Sequence, residues 1–388
     1  MANTLTDLAA DIYKAADKVG RERVGFIPSI TVNADSSMAV AKGDVVRSHF
    51  TRSVSVSSSY APSMTIPEGT DQTVDNKTLT LDQYATVQIP WTGEDMKHVN
   101  NGSGFSTIMG DQISQAMRAI ANTIEAHVWA VAYQGASRAV GTAGTTPFAS
   151  NLDAIADVRE ILAYNGCPMT DGMLSLVLSG TASTKMRKLS QLQKVNESGD
   201  TSFLRQGVLL DIMGIMMKES HQITTHTKGA GTGYDFVGAG EAIGQTTLSL
   251  EGGTVNSTGF KAGDVITHAG DATNKYVVNT GLTATSGDIV IGSPGLLVAG
   301  VDANEITIGN TYTPNVLLHK SAVELICRPV AEPSGGDAAT DRMVVQDPVS
   351  GLVFTISIYK GYKKSMTEVS CLYQAKAWKS DNIAILMG

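Results

Sequence analysis

The longest regular pattern of apolar and polar side chains lies in the first half of the chain. From Phe105 to about Gln134, apolar residues recur every three or four positions, which places them on one side of an α-helix. Polar residues, including Asp111 and Glu125, recur on the opposite side. We therefore predict a spine helix over 105–134, roughly 45 Å long at about 1.5 Å per residue, with its apolar face packed on a second layer.

Two predicted strands flank a long irregular segment. The first covers Val45–Val56 and is rich in β-branched residues, and the second covers Leu79–Trp91, where apolar and polar residues alternate so that one face is apolar. The segment between them contains Pro62 and Pro67 and few large apolar side chains. Because irregular segments of this length are uncommon in compact domains, we predict either a mobile surface loop or a projection that is ordered against another molecule.

Further patterns predict a layered domain of alternating helices and strands. Ser150, followed three residues later by Asp153, matches a capping box at the start of a helix over Asn151–Tyr164. The elements predicted next are a strand over Met173–Leu178, a helix over about Thr181–Val195, and strands over Val208–Met213 and Ile215–Glu219. A short helix is also predicted over Asn3–Val19, either as a packed first helix or as an arm.

Between residues 227 and 312 the sequence becomes rich in glycine and shows short β-type runs without a helical repeat. Such runs are typical of a small barrel or sandwich. Carboxylates outnumber lysines here, and we expect them to form a solvated face. Because the α/β pattern resumes at Asn315 and the chain ends in further strands, the simplest interpretation is an all-β insertion over 227–312.

Composition and charge narrow the possible functions. The chain has 388 residues, of which 42% are hydrophobic, enough for about two domains with apolar cores. Its net charge of -8 argues against a basic surface that grips nucleic acid. The cysteines Cys167, Cys327 and Cys371 are far apart in the sequence, which suggests neither a disulfide framework nor a zinc ribbon. We expect no signal peptide and no membrane span, because no run approaches roughly 18 apolar residues.

The sequence matches none of the known catalytic or cofactor-binding motifs that we compared with it. His221 and His226 lack the spacing of a zinc motif, and Gly238–Gly244 resembles a dinucleotide-binding loop only loosely. Cys167 follows a helix-stopping glycine without an obvious neighbouring base. We therefore predict no catalytic residue, no cofactor-binding residue, no metal ligand and no enzyme activity, although carboxylate pairs of the glycosidase type need no local motif.

The order of these parts resembles a known family. An amphipathic start ("LTDLAADIYKAADKVGRERVGFIPSI"), a strand-flanked loop ending in "LTLDQYATVQIPWTGEDM", the long helix, the layered domain, and the closing "DPVSGLVFTISIYKG" and "VSCLYQAKAWKSDNIAILMG" together resemble the major capsid (coat) proteins of tailed double-stranded DNA bacteriophages. The glycine-rich insertion followed by "HKSAVELICRPVAEP" is similar to the podoviral, Salmonella-phage-type branch. The resemblance covers essentially the whole chain.

The resemblance implies an α+β fold of the Hong Kong 97 type. Its implied parts are an N-terminal arm (1–30), a peripheral domain (31–148) with an extended loop (53–78) and the spine helix (105–134), an axial domain in two parts (149–226 and 313–388), and an inserted β-domain (227–312). In this fold the extended loop lies across the adjacent subunit. Some relatives cross-link a loop lysine to a neighbour's asparagine, and Lys77 is the only lysine in this loop; no acceptor is identifiable, so we do not expect the activity.

The function that the resemblance implies is structural. The chain would assemble with itself, as hexamers and pentamers, into the icosahedral head shell that encloses packaged DNA without sequence-specific binding. The implied partners are a scaffolding protein and a portal, and the implied location is the virion capsid, assembled in the host cytoplasm. The alternatives are an encapsulin-like shell of a cellular compartment and, less favoured, a β-rich hydrolase.

Overall fold

The computed structural model describes residues 24–51, 62–66, 74–100, 105–193, 211–238, 240–254, 259–333, 336–348 and 350–388. Within these residues the fold is α+β, with mostly strands and a few helices. The helix predicted over Asn3–Val19 lies outside the described residues, and so does most of the predicted extended loop.

The helices and strands of the described residues have the following bounds. The helices are α1 Gly93–Asn100, α2 Phe105–Gln134, α3 Asp153–Tyr164, α4 Gly180–Arg187 and α5 Ser190–Gln193, and short 3₁₀ turns cover Ile27–Ser29 and Ser380–Asn382. The first strands are β1 Thr31–Ala34, β2 Val45–Thr51, β3 Val74–Thr80, β4 Gln83–Thr92, β5 Arg138–Val140, β6 Leu174–Leu178, β7 Met216–Glu219, β8 Tyr234–Phe236 and β9 Thr247–Glu251. The remaining strands are β10 Val265–His268, β11 Asp271–Thr280, β12 Gly287–Ile291, β13 Glu305–Ile308, β14 Pro314–His319, β15 Val323–Arg328, β16 Ala339–Gln346, β17 Val353–Gly361, β18 Lys364–Ala377 and β19 Ile383–Met387.

Helix α2 has the bounds that the sequence predicts, and its apolar stripe enters the largest core. The buried residues of the stripe include Ile113, Ile120, Ile124 and Val128. They pack against strands of both large sheets, because the same core contains side chains from β14, β17, β18 and β19. One detail of the prediction is wrong: Glu125, expected on the exposed polar side, is fully buried.

The first sheet is built around the long strand β18. Its order is β1-β15-β18-β17-β16, and β4 also pairs with β18. Side chains alternate along β4, so that Val87 and Ile89 pack against the core while Thr86 and Gln88 are exposed. The turn between β16 and β17 is closed by a hydrogen bond from Gly351 N to Asp347 O (2.8 Å).

The interpretation of Leu79–Trp91 as one strand is wrong. Strand β3 ends at Thr80 and belongs to a separate two-stranded sheet with β2, whereas β4 begins at Gln83 and joins the first sheet. Leu79 therefore packs in a small cluster of its own, away from the core that contacts Val87. The alternation continues across the break, which is why the sequence pattern did not reveal it.

The second sheet contains eleven described strands in the order β10-β13-β8-β9-β12-β11-β5-β19-β14-β6-β7. Strand β10 also pairs with β11, so the first six strands of this order close into a ring, the barrel. The barrel has its own core, which includes Tyr234, Phe236, Phe260 and Ile306. Strand β11 also pairs with β5, and it thereby connects the barrel to the rest of the sheet.

Two helix predictions need correction. Helix α3 begins at Asp153 with Leu152 as its N-cap and no side-chain cap bond, so the predicted capping box is wrong; the Asp153 carboxylate instead accepts a hydrogen bond from the Asn151 side chain. The helix predicted over Thr181–Val195 is two helices, because the chain leaves the α-helical pattern at Lys188 before α5 begins. Ser179 caps α4 by accepting a hydrogen bond from Ala182 N.

The strand predictions also differ in their bounds. Strand β2 covers Val45–Thr51, and the remainder of the predicted strand lies outside the described residues. The described part of the predicted Val208–Met213 strand contains only an isolated bridge between Ile212 and Ile215, around the left-handed residues Met213 and Gly214. Strand β7 begins one residue later than predicted, at Met216.

Candidate assembly surface

Strands β2 and β3 form a hairpin whose strands pair with neither of the two large sheets in the described structure. They pair antiparallel in continuous register from Val45↔Thr80 to Thr51↔Val74. An isolated two-stranded hairpin is only marginally stable in water. The hairpin therefore depends on contacts at its base and on whatever its other end contacts.

The base of the hairpin is held by a small apolar cluster and by backbone hydrogen bonds. Leu79 and Leu81 are buried against Ile326 and Leu372 of the first sheet. Leu81 N donates to Asp44 O (2.9 Å), and the Leu81 carbonyl accepts from Gly43 N (2.7 Å). These contacts fix the direction in which the hairpin leaves the body.

Lys77 adds a polar contact between the hairpin and the first sheet. Its Nζ donates to the carbonyl of Trp378 (3.2 Å) and lies 5.3 Å from the centre of the indole ring, a cation–π arrangement. Trp378 is held in turn by a hydrogen bond from its Nε1 to Glu324 Oε2 (2.9 Å). The only lysine of the predicted extended loop is thus engaged within its own chain.

Residues 62–66, the described part of the segment that joins the two strands, present apolar side chains to solvent. All five are exposed, and Met64 and Ile66 are 106% and 89% exposed. Large apolar side chains that are exposed together mark a contact surface more often than apolar side chains that are scattered singly. The sequence predicted this segment as a possible contact with another molecule.

A groove runs between the outer edge of β4 and helix α2. Its volume is about 540 Å³, and its lining includes Val87, Ile89, Pro90, Ile108 and Gln112. In the described part of the chain β4 pairs only with β18, so the other edge of β4 has no strand beside it. An unpaired edge next to an apolar groove can accept an extended segment.

Glu125 fastens the start of the described chain to helix α2. Its carboxylate accepts hydrogen bonds from the backbone N–H groups of Gly25 (2.6 Å), Phe26 (2.8 Å) and Ile27 (3.0 Å). Burial raises the pKa of Glu125, against the opposing effect of these hydrogen bonds and of one from Ser220. Gly25 is required here, because a Cβ at this position would lie 2.5 Å from Val177 Cγ1.

A buried polar cluster joins helix α2 to the barrel. His226 Nδ1 lies 3.3 Å from the Tyr133 hydroxyl, and His226 Nε2 lies 2.8 Å from Asp264 Oδ1. Asp264 also accepts from Lys261 N (2.7 Å) and Gly229 N (3.1 Å). The order Tyr-His-Asp is that of a proton relay, but His226 and Asp264 are 7% and 1% exposed, so the cluster serves to join elements.

Only some of the carboxylates in the barrel segment are exposed to solvent. Asp264 and Asp271 are buried, and Asp271 accepts a hydrogen bond from the Tyr276 hydroxyl (2.7 Å). The prediction of a wholly solvated acidic face is therefore wrong for these two. Across the described ranges, no group of three or more His, Cys, Asp or Glu side chains is arranged to hold a metal ion.

Two of the three cysteines are neighbours in space. Cys327 on β15 and Cys371 on β18 have their Sγ atoms 3.1 Å apart, and both are buried. The sequence separation concealed this, because adjacent antiparallel strands bring distant residues together. Cys167 stands alone, and burial raises the pKa of its thiol to about 11.

The helices of the described residues include none that is both long enough and apolar enough to span a membrane.

Comparison by sequence finds no protein-family model and no curated protein that matches the chain. By structure, the chain is similar to the capsid structure of the cyanophage P-SCSP1u, with a TM-score of 0.50 and 12% identity over 95% of this chain and 89% of that one. Other similar structures are the capsid of a native GTA particle (TM-score 0.49, 10% identity, 95% and 91% of the two chains) and one from Mycobacterium phage Che8 (0.44, 14%, 89% and 85%).

The similarity to the cyanophage structure extends over nearly the full length of both chains. At so low an identity it concerns the fold, while function must be argued from the surfaces described above. The chain therefore has the fold of a bacteriophage capsid protein.

Proposed function

We propose that the chain is the structural coat protein of a tailed bacteriophage, and that its copies assemble into the icosahedral head shell around packaged double-stranded DNA. The observation that carries this proposal is the β2–β3 hairpin, which is fixed at its base and whose connecting segment exposes Met64 and Ile66. A capsid fold with such a projection is built to be completed by a second copy.

The assembly contact that we propose is between the hairpin of one copy and the β4–α2 groove of the next. The groove offers apolar side chains and an unpaired strand edge in the described chain, and the connecting segment of the hairpin offers exposed apolar side chains. A contact between two different surfaces of the same chain is heterologous, and it forms closed cages when the rotation between copies closes. Each contact can be weak, because the shell repeats it many times.

The finer architecture that we propose is that of the Hong Kong 97 type. Residues 1–30 act as an N-terminal arm, 53–78 as the extended loop, and 105–134 as the spine of a peripheral domain over 31–148. The axial domain covers 149–226 and 313–388 and surrounds the centres of hexamers and pentamers, while 227–312 is an inserted β-domain.

The partners and the location follow from the proposed role. A scaffolding protein and a portal guide assembly in the host cytoplasm, and the finished subunit resides in the virion capsid. The DNA is enclosed without sequence-specific contacts, which is consistent with a net charge of -8, because an acidic lining does not bind phosphate. The proposed role requires no catalytic chemistry.

Negative-stain electron microscopy of the purified full-length chain tests the proposal. Closed particles of uniform diameter are the expected result, formed by the chain alone or with its scaffolding partner. A discrete small oligomer under all conditions of salt and crowding would contradict it. Turnover of a glycan or ester substrate by such an oligomer would instead favour the hydrolase alternative.

A further inference from the structure

A basic turn lies at the tip of the β17–β18 hairpin. Lys360, Lys363 and Lys364 are exposed, and Tyr362 between them is 90% exposed. The Lys363 ammonium lies 5.4 Å from the centre of the Tyr362 ring. The Lys363 carbonyl accepts a hydrogen bond from Gly93 N (3.2 Å), which holds the turn against the start of α1. The tip is therefore a fixed cationic surface with an aromatic side chain at its centre.

An apolar groove lies beside this turn. Its volume is about 980 Å³, and Trp91, Met96, Met109, Ile358 and Tyr362 contribute its large apolar side chains. The three lysines of the turn also line it, together with the carboxylates of Glu94 and Asp341. Because the lysines outnumber these carboxylates and follow one another at the turn, a partner that fits this side of the groove must combine an apolar projection with negative charge.

Three carboxylates lie side by side in a row across three adjacent strands of the barrel. Glu305 on β13 pairs with Asp235 on β8, and Asp235 pairs with Glu251 on β9. Paired residues point to the same face of a sheet, and like charges directly opposite each other destabilise it. The neighbouring positions Tyr234 and Phe236 are buried, so the three carboxylates lie on the outer face.

This acidic row is not neutralised by cations of the described chain. Strands β8, β9, β12 and β13 contain no lysine or arginine, and none of the three carboxylates forms an ion pair among the described residues. Two exposed apolar residues lie near the row in sequence, Val237 (41% exposed) and Val301 (59% exposed). Val237 follows Asp235 by two positions, and its N–H donates to Ser249 O of β9, so it points to the same outer face. That face thus combines negative charge with an exposed apolar side chain.

We propose that the β17–β18 turn and its groove in one copy dock on the acidic barrel face of another copy. The proposal rests on the proposed shell function, and it identifies a second contact between copies besides the hairpin. A nucleic acid bound at the lysines would leave the carboxylate row unbalanced. When the partner is a second copy, the lysines of one copy and the carboxylates of the other neutralise each other. Complementary charge also determines which surfaces meet.

A charge exchange tests this docking in the full-length chain. We expect Lys363→Glu with Lys364→Glu to lower the yield of closed particles at least about 10-fold, and Asp235→Lys with Glu305→Lys to do the same. Combining all four substitutions in one chain should restore particles to within about 3-fold of the wild type. The matched control, Lys185→Glu with Lys188→Glu at two exposed positions at the end of α4, makes the same charge change at residues that line neither surface and should leave the yield unchanged.

A second measurement does not depend on yield. Copies with Tyr362→Cys and copies with Val237→Cys, differently tagged and assembled together, should be joined by a short bismaleimide linker into mixed dimers. The linker should join no such dimers when Cys replaces Thr184, an exposed α4 residue, instead of Val237.

Several outcomes separate the proposals. The wild type could form particles while the four-substitution chain does not restore them and no mixed dimers appear. That result would overturn the docking and leave the shell function intact. If lysine reversal leaves particle number unchanged and lowers only the DNA retained, the turn contacts nucleic acid and the docking is wrong. If the wild type forms no particles at all, the proposed shell function is wrong, and the docking that rests on it is wrong too.

Discussion

The carboxylate of Glu125, in the middle of the longest helix, accepts a hydrogen bond from the backbone N–H of Phe26, almost one hundred residues earlier, at 2.8 Å. Gly25 and Ile27 donate to the same carboxylate. Three consecutive N–H groups are thereby satisfied by one side chain at the place where the described chain begins. Glu125 thus connects the end of the proposed N-terminal arm to the spine helix.

We expect Glu125→Ala to lower the free energy of unfolding by about 2–4 kcal/mol, because each buried donor left without an acceptor costs about 1–3 kcal/mol and water can enter in part. Urea unfolding followed by circular dichroism measures the change. Gln115→Ala is the matched control, since Gln115 is exposed on the same helix and its removal should cost less than about 0.5 kcal/mol. Equal losses for the two variants would show that the anchoring role is wrong.

Glu125 also predicts a direction for the pH dependence of stability. Because burial raises the pKa of Glu125 above its ordinary value of 4.5, the folded state binds the proton more tightly than the unfolded state does. Its contribution is therefore fully present below about pH 4.5 and is lost as the pH rises through the raised pKa. The stability of the wild type relative to Glu125→Gln should be greatest at low pH and should fall with rising pH in urea titrations. A difference that grows with pH would contradict the raised pKa.

The sequence identified the elements whose signals are local and repeated. Helix α2 begins and ends where the pattern predicts, because thirty residues of one period leave little ambiguity. The β-type character of 227–312 was also visible as a pattern, since alternation and glycine punctuation need no knowledge of tertiary contacts. The hairpin was visible only in part, because β3 covers Val74–Thr80, most of which was predicted as part of the extended loop. The lysines beside Tyr362 are close together in the sequence, but no prediction singled them out as a cationic cluster.

Contacts between residues far apart in the sequence could not be predicted from local patterns. Glu125 occupies a position that the helical period assigns to solvent, and only the approach of residues 25–27 makes it internal. The carboxylate row of the barrel depends on the register of three strands, which no local pattern specifies. The contact of Lys77 with Trp378 joins residues three hundred positions apart, and sequence separation gives no sign of it.

The buried acceptor Asp264 should be essential for the junction between α2 and the barrel. Asp264→Ala leaves Lys261 N and Gly229 N without their acceptor and removes the partner of His226. We expect a loss of at least about 2 kcal/mol, measured by urea unfolding. Asp302→Ala, at an exposed position of the same segment, should change stability by less than about 0.5 kcal/mol. A comparable effect of both variants would mean that the cluster does not hold the junction.

The exposed segment 62–66, which lies between β2 and β3 in the sequence, should govern assembly and not folding. Burying an isoleucine contributes about 1.5–3 kcal/mol, so Ile66→Asp should weaken each contact between copies about 10-fold or more. Sedimentation should show fewer closed particles, while thermal unfolding of the unassembled subunit stays unchanged. Ser63→Asp adds the same charge to the same exposed segment without removing an apolar side chain. If Ser63→Asp blocks assembly equally, charge and not apolar contact is responsible.

The three cysteines should be inert toward thiol reagents while the chain is folded. All three are buried, and a pKa of about 11 for Cys167 leaves roughly one thiol in a thousand ionised at pH 8, whereas the thiolate is the reactive form. The hydrogen bond between Cys327 and Cys371 raises the pKa of Cys371 and lowers that of Cys327, so Cys327 is protected by its burial and not by its pKa. We expect Ellman's reagent to react with these thiols at least about 100-fold more slowly than with a Ser63→Cys control on the exposed segment. In denaturant all three should react at once, and a fast-reacting native thiol in the unmodified chain would contradict the packing of these residues.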